Sequence, residues 1–188
     1  MARARQNRSH AFYRGWVVVR FWVRWGAAVA LLSSLLALFG CDADRIAKLE
    51  EGVSTETDVR RAFGEPATVT VQPDGSKVLE YPRQPEGWTN YEIRIGADGV
   101  MSSLRQLLNE DNLARVQPGQ SQAEVRARLG RPARMQRYEL KNEEVWDWRF
   151  RPAGQTSKLF SVTFDAGGRV TATAVGEDPR DTTGGPSN

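Results

Sequence analysis

Two stretches of this chain are variants of one text, and that repetition constrains the fold more than any other feature. "DRIAKLEEG" (Asp44 to Gly52) returns 67 residues later as "DNLARVQPG" (Asp111 to Gly119), with Asp, Ala and Gly kept. "TETDVRRAFGEPA" (Thr55 to Ala67) then returns as "SQAEVRARLGRPA" (Ser121 to Ala133), at an offset of 66. A recurring unit of this kind is one supersecondary module used twice.

The shared pattern has local physics. Thr55 with Asp58, and Ser121 with Glu124, have the N-cap and N3 spacing that satisfies two orphan amides at a helix start. Val59 and Phe63, like Val125 and Leu129, are i,i+4 neighbours on one helix face. Gly64 and Gly130 offer a left-handed exit, and Pro66 and Pro132 prevent the helix from resuming. Each copy therefore opens with a short helix, a glycine turn and a capped helix, the first short helix being capped at Asp44.

After each capped helix the apolar period changes to two. Strands are expected near 68–72, 77–81, 91–95 and 101–107, with turns at "PDGS" and "GADG". The second copy gives 134–139, 144–150, 159–164 and 170–175, with turns at "KN" and "DAGG". Alternation places Trp146, Trp148 and Phe150 on one face, with Phe160, Val162 and Phe164 beside them, and Tyr91, Ile93 and Ile95 in the first copy. These aromatics read as core. The expected class is α+β, two tandem helix-helix-meander repeats at 41–109 and 110–175. The tail, 176–188, has almost no apolar residue and is expected to be disordered.

Ahead of the repeats lies a segment of a different kind. Residues 1–40 carry six arginines and no acid, and end in an uncharged run from Trp25 to Phe39, the n-region and h-region of a secretory signal. That run is short for a transmembrane helix. Leu38 and Gly40 stand at −3 and −1 before Cys41, the only cysteine in 188 residues. The arrangement resembles the lipobox of bacterial lipoproteins, which implies cleavage between Gly40 and Cys41 and acylation of the Cys41 thiol. Two or three acyl chains, at about 0.8 kcal/mol per buried CH₂, make a stable anchor to the bilayer.

Removing the leader changes the chemistry available. The formal net charge of +3 belongs to it: of 26 basic residues six precede Cys41, so the 23 acids outnumber the bases that remain. No electrostatic case for nucleic acid survives. The single histidine, His10, leaves with the leader, and lipidation occupies the single thiol. A mature chain without imidazole or thiolate has no Ser-His or Cys-His pair and no such ligand for a metal. A non-enzymatic role without cofactor is expected. The carboxylate pair Glu143 and Asp147 is the residual hydrolase candidate, and solvated positions on a charged hairpin account for it equally.

Two features stand outside the repeat pattern. Trp88 lies in the loop "PRQPEGWTN", where no periodicity demands an aromatic residue. Arg126, Arg128, Arg131, Arg134 and Arg137 follow one another without an acid between Glu124 and Glu139. They are either solvated faces or a positive patch for anionic headgroups or an acidic partner. Trp88, Arg126, Arg128 and Arg131 are the candidate partner contacts.

The lipobox, the helix motif read in "GQSQAEVRARLGRPA" and, with one insertion, in "GVSTETDVRRAFGEPA", and the following meander together resemble the SmpA/OmlA, or BamE-like, family of small outer-membrane lipoproteins. The resemblance implies a scaffold or accessory factor of outer-membrane β-barrel assembly, with machinery subunits and anionic lipid as partners. The doubled unit is similar to the tandem architecture of secreted β-lactamase inhibitor proteins. That implies the competing expectation, a periplasmic protein-binding or inhibitor module using a concave sheet built from both repeats. The expected location is the periplasmic face of the outer membrane; Asp42, next to the lipidated cysteine, resembles an inner-membrane retention residue.

Overall fold

The structure, a computed structural model, describes residues 42–182. The expected leader, with the cleavage at Gly40 and the lipidation at Cys41 that the lipobox resemblance implies, lies outside the described residues. The chain divides into two compact units, 1–48 and 49–188. In the first, helix α1 spans Asp42–Ile46. It begins three residues earlier than a cap at Asp44 implies, so Asp44 lies within the helix and does not cap it.

The second unit holds both meanders. Helix α2 (Glu56–Phe63) leads into β1 (Thr68–Val71), β2 (Lys77–Pro82), β3 (Asn90–Ile95) and β4 (Met101–Gln106). Helices α3 (Glu110–Ala114) and α4 (Gln122–Leu129) precede β5 (Arg134–Tyr138), a 3-10 turn, β6 (Glu143–Phe150), β7 (Lys158–Phe164) and β8 (Val170–Glu177). Each set of four strands forms its own antiparallel sheet in sequential order. The α+β class and the two meanders are as the sequence implies. The single concave sheet is not: β4 and β5 belong to different sheets, because the helical segment between them carries the chain away before the second meander starts.

The capping logic operates twice. Thr55 accepts from Asp58 N, Ser121 accepts from Glu124 N, and each acid's carboxylate in turn accepts from the cap residue's amide. At the exits, Gly64 (φ 83°, ψ −159°) and Gly130 (φ 72°, ψ −162°) have positive φ but extended ψ. This is not the left-handed helical exit expected; it is a conformation more nearly restricted to glycine.

Each sheet buries one face. In the first half Val59 and Phe63 of α2 are buried with Leu79, Tyr81, Ile93, Ile95 and Met101. The Phe63 ring lies 4.9 Å from Tyr81 and 5.0 Å from Tyr91. Burial pushes the Tyr81 hydroxyl up from its ordinary pKa, and it donates to Gly64 O at 3.2 Å. The second half has the larger cluster, in which Val125 and Leu129 of α4 join Trp146, Trp148, Phe150, Phe160, Val162 and Phe164. Fully burying one such side chain contributes about 1.5–3 kcal/mol, so the aromatic stripe is a core before it is a surface.

Residues 176–182, the described part of the tail, are structured where disorder is expected, and 183–188 lie outside the described residues. β8 continues to Glu177, and helix α5 spans Pro179–Thr182. Asp178 is 1% exposed and pairs with Arg149 at 2.6 Å, while Asp181 accepts from Ser157 N at 2.9 Å. Polar side chains order this segment in place of apolar ones. No helix among the described residues is long and apolar enough to cross a membrane.

Candidate functional site

The chemistry gathers where the first sheet meets the end of α4. Asn90 opens β3 and is 1% exposed. Its Nδ2 donates to Leu129 O at 2.7 Å and to Arg131 O at 2.9 Å. Leu129 O is one of the helix-end carbonyls that lack an intrahelical donor, so Asn90 completes a helix belonging to the other half. Gly130 lies between the two acceptors, and a Cβ there would come within 3.0 Å of Asn90 Nδ2 and 3.2 Å of Asn90 Cβ. Trp148 Nε1 donates to Gly130 O at 3.1 Å. A cleft of about 140 Å³ adjoins this junction, lined by Glu80, Pro82, Asn90, Tyr91, Arg126 and Arg131 among others. Asn90 Oδ1 is buried and has no partner among the described residues.

A second contact runs through the loop that follows β2. Gln84 Nε2 donates to Arg149 O at 2.8 Å, and Gln84 Oε1 accepts from Arg149 N at 3.3 Å. β5 pairs with β6 only as far as Asp147, so the Gln84 amide continues the ladder where the edge strand stops. Trp88, 36% exposed, stacks under the Arg151 guanidinium at 3.6 Å from its ring centroid. That gives the loop tryptophan a cation–π partner in the other half of the chain. Arg180 of α5 reaches the same loop, pairing with Glu86 at 2.9 Å.

The arginine run separates into different environments. Arg134 pairs with Asp147 at 2.7 Å and Arg137 with Glu139 at 3.2 Å. Arg126 and Arg131 share the cleft with Glu80 and Glu92, so its walls carry both signs of charge. Arg128, two residues along α4 from Arg126, is turned roughly 200° away and does not line the cleft. Its Nε is buried and has no hydrogen-bond partner among the described residues.

The carboxylate pair is not a solvated one. Asp147 is 2% exposed, held by Arg134 and by Ser161 Oγ, which donates at 2.6 Å. Four strand positions put Asp147 about 13 Å along β6 from Glu143. Paired glycosidase carboxylates stand at most about 9.5 Å apart.

Asn90 and Gln84 carried no signal in the sequence. Each sits in a polar loop or at a strand start, and only the long-range partner distinguishes it.

Residues 106–174 match the family model described as the outer membrane protein assembly factor BamE domain. A solved structure described as a putative osmotically inducible lipoprotein, OsmE, is similar at 30% identity, covering 35% of this chain and 68% of that one, with a TM-score of 0.33. A DUF4309 family protein, YjgB, from Bacillus subtilis is similar at 18% identity, covering 70% of this chain and 83% of that one, with a TM-score of 0.29. No curated protein matches the chain.

Proposed function

We propose that this chain, which belongs to the BamE-like family of envelope lipoproteins, is a non-enzymatic scaffold or accessory factor in assembling β-barrel proteins into the outer membrane. The observation that carries the reading is the BamE-domain match over 106–174. The lipobox ending at Gly40 and Cys41 supports an acylated anchor, on the periplasmic face of the outer membrane. The first half, with the same element order, is proposed as a divergent copy of the domain. Contacts with machinery subunits would use the surface near Trp88 and the cleft arginines Arg126 and Arg131, the latter also able to meet anionic headgroups.

The test is a detergent extraction of the full chain and of Cys41→Ser, followed by affinity purification and identification of what co-elutes. Co-elution of β-barrel assembly subunits with the full chain, lost or reduced in an unprocessed Cys41→Ser form, is the expected result. A stoichiometric complex with a soluble periplasmic enzyme, unaffected by Cys41→Ser, would overturn the scaffold reading in favour of an inhibitor module. Fractionation of the full chain with the inner membrane would reassign the anchor, with Asp42 as the residue responsible.

A further inference from the structure

The two sheets end differently, and the difference points to a function. In the first half the Met101 backbone bonds outward, away from β3, to Gly52 N and Ser54 O. Beyond the bulge, the next outward donor on β4, Leu104 N, is capped by the Glu51 carboxylate at 2.8 Å. In the second half the Val170 backbone bonds outward in the same way, to Gly119 N and Gln120 O, and the bulge recurs. Thr173 then occupies the place of Leu104, since each pairs with a fully buried residue of the preceding strand, Val162 or Ile93. The position matching Glu51 is Pro118, which has no carboxylate to offer. Among the described residues the outer edge of β8 past Val170 is therefore open at Thr173 and Val175.

Natural sheets protect such edges with charge, proline or cover. From Val170 to Gly176 β8 has no charged residue and no proline, and every residue after Val170 is exposed. Beside the edge lies a groove of about 560 Å³, with walls and floor that include Leu113, Val116, Pro118, Phe150, Phe160 and Val175. Thr173 and Val175 pair with the buried Val162 and Phe160, so their side chains share the face that lines this groove.

We propose that the β8 edge and this groove bind an extended segment of another polypeptide by antiparallel strand addition, the segment carrying apolar side chains at alternate positions. In antiparallel pairing, residues opposite Thr173 and Val175 exchange backbone hydrogen bonds with them and project their side chains to the same face. Backbone bonding and insertion of two apolar side chains into the groove thus fall on the same residues of the ligand. A second copy of this chain is a poorer occupant, since its own β8 would offer only Thr173 and Val175, too small to fill the space. The rest of the sheet is antiparallel throughout, which sets the direction.

The probe is an acetylated, amidated peptide alternating threonine and leucine between terminal lysines, titrated by fluorescence anisotropy against the detergent-solubilised full chain. Saturable binding is expected. Backbone N-methylation of the leucines should weaken it at least about tenfold, a loss of about 1.4 kcal/mol, whereas N-methylation of the threonines should leave it within about twofold. Thr173→Pro removes an edge N–H that has no partner among the described residues, and should weaken binding to the same degree. The N-methyl pair decides the matter even if that variant folds poorly. Absence of saturable binding, equal loss with both methylated peptides, or the reverse pattern, which marks parallel addition, would each overturn the proposal. So would a dimer in sedimentation that Thr173→Pro dissolves, since it would give the edge to a second copy.

Discussion

Gly64 and Gly130 provide a controlled comparison of what one Cβ costs. Both have positive φ with extended ψ, so alanine is strained at either position by about 1–3 kcal/mol. Around Gly64 a Cβ would meet nothing within 4 Å, whereas at Gly130 it would press on Asn90. Gly130→Ala should therefore be the more destabilising substitution, by a further 1 kcal/mol or so of overpacking. Urea unfolding of the two variants measures the difference, and equal losses would mean that Asn90 is not tightly seated. Asn90→Ala should itself cost about 2 kcal/mol or more, because it leaves the Leu129 and Arg131 carbonyls without their donor.

At the level of the element, the caps tie stability to pH. Hydrogen bonds from Thr55 and Ser121 hold the Asp58 and Glu124 carboxyls below their ordinary pKa values of 3.8 and 4.5. A carboxyl lowered in the folded state binds fewer protons there than when unfolded, so its contribution is present above the ordinary value and is lost as pH falls through the lowered one. Glu124→Gln should lower the melting temperature at pH 7 and flatten its decline below about pH 4.5; a parallel decline in both proteins would count against the cap as an acid-sensitive element. The last element offers a second test. Asp178 and Arg149 are both largely buried, and removing one partner of such a pair typically costs about 3–5 kcal/mol. Asp178→Ala should lower the melting temperature by several degrees. An unchanged melt would mean that the order of α5 contributes nothing to the fold.

Across the whole molecule, the two halves of residues 49–188 are joined by particular polar contacts rather than by a shared sheet. Asn90 completes α4, Gln84 extends the β6 ladder, Arg151 covers Trp88, and Arg180 reaches back to Glu86. The apolar clusters differ in weight, the second holding both buried tryptophans. Residues 44–109 expressed alone would leave Gln84 and Asn90 facing water, over a small core. That fragment should lack a sharp thermal transition, and a cooperative melt by circular dichroism would show the first half to be self-sufficient.

The capped helices α2 and α4 and the strands of both meanders were legible in the sequence, because their causes act over a few residues. Thr55 with Asp58 and Ser121 with Glu124 are three apart, and alternation from Trp146 to Phe150 sets a strand face whatever lies beyond it. What joins the halves acts over far greater distances. Asn90 finds Leu129 39 residues away and Arg180 finds Glu86 94 residues away, and an amide or guanidinium in a polar loop carries no local mark of the carbonyl or carboxylate it will meet. The structure of residues 176–182 is illegible for the same reason: Asp178 reads as a soluble residue until β6 places Arg149 beside it. The two β-edges, nearly equivalent in pattern, were separated only when the fold brought Glu51 to Leu104 and left Thr173 without such a cap. Short-range periodicity fixed which segments became helix and strand. Which edges and carbonyls were satisfied depended on long-range partners, and these exist only once the chain has closed on itself.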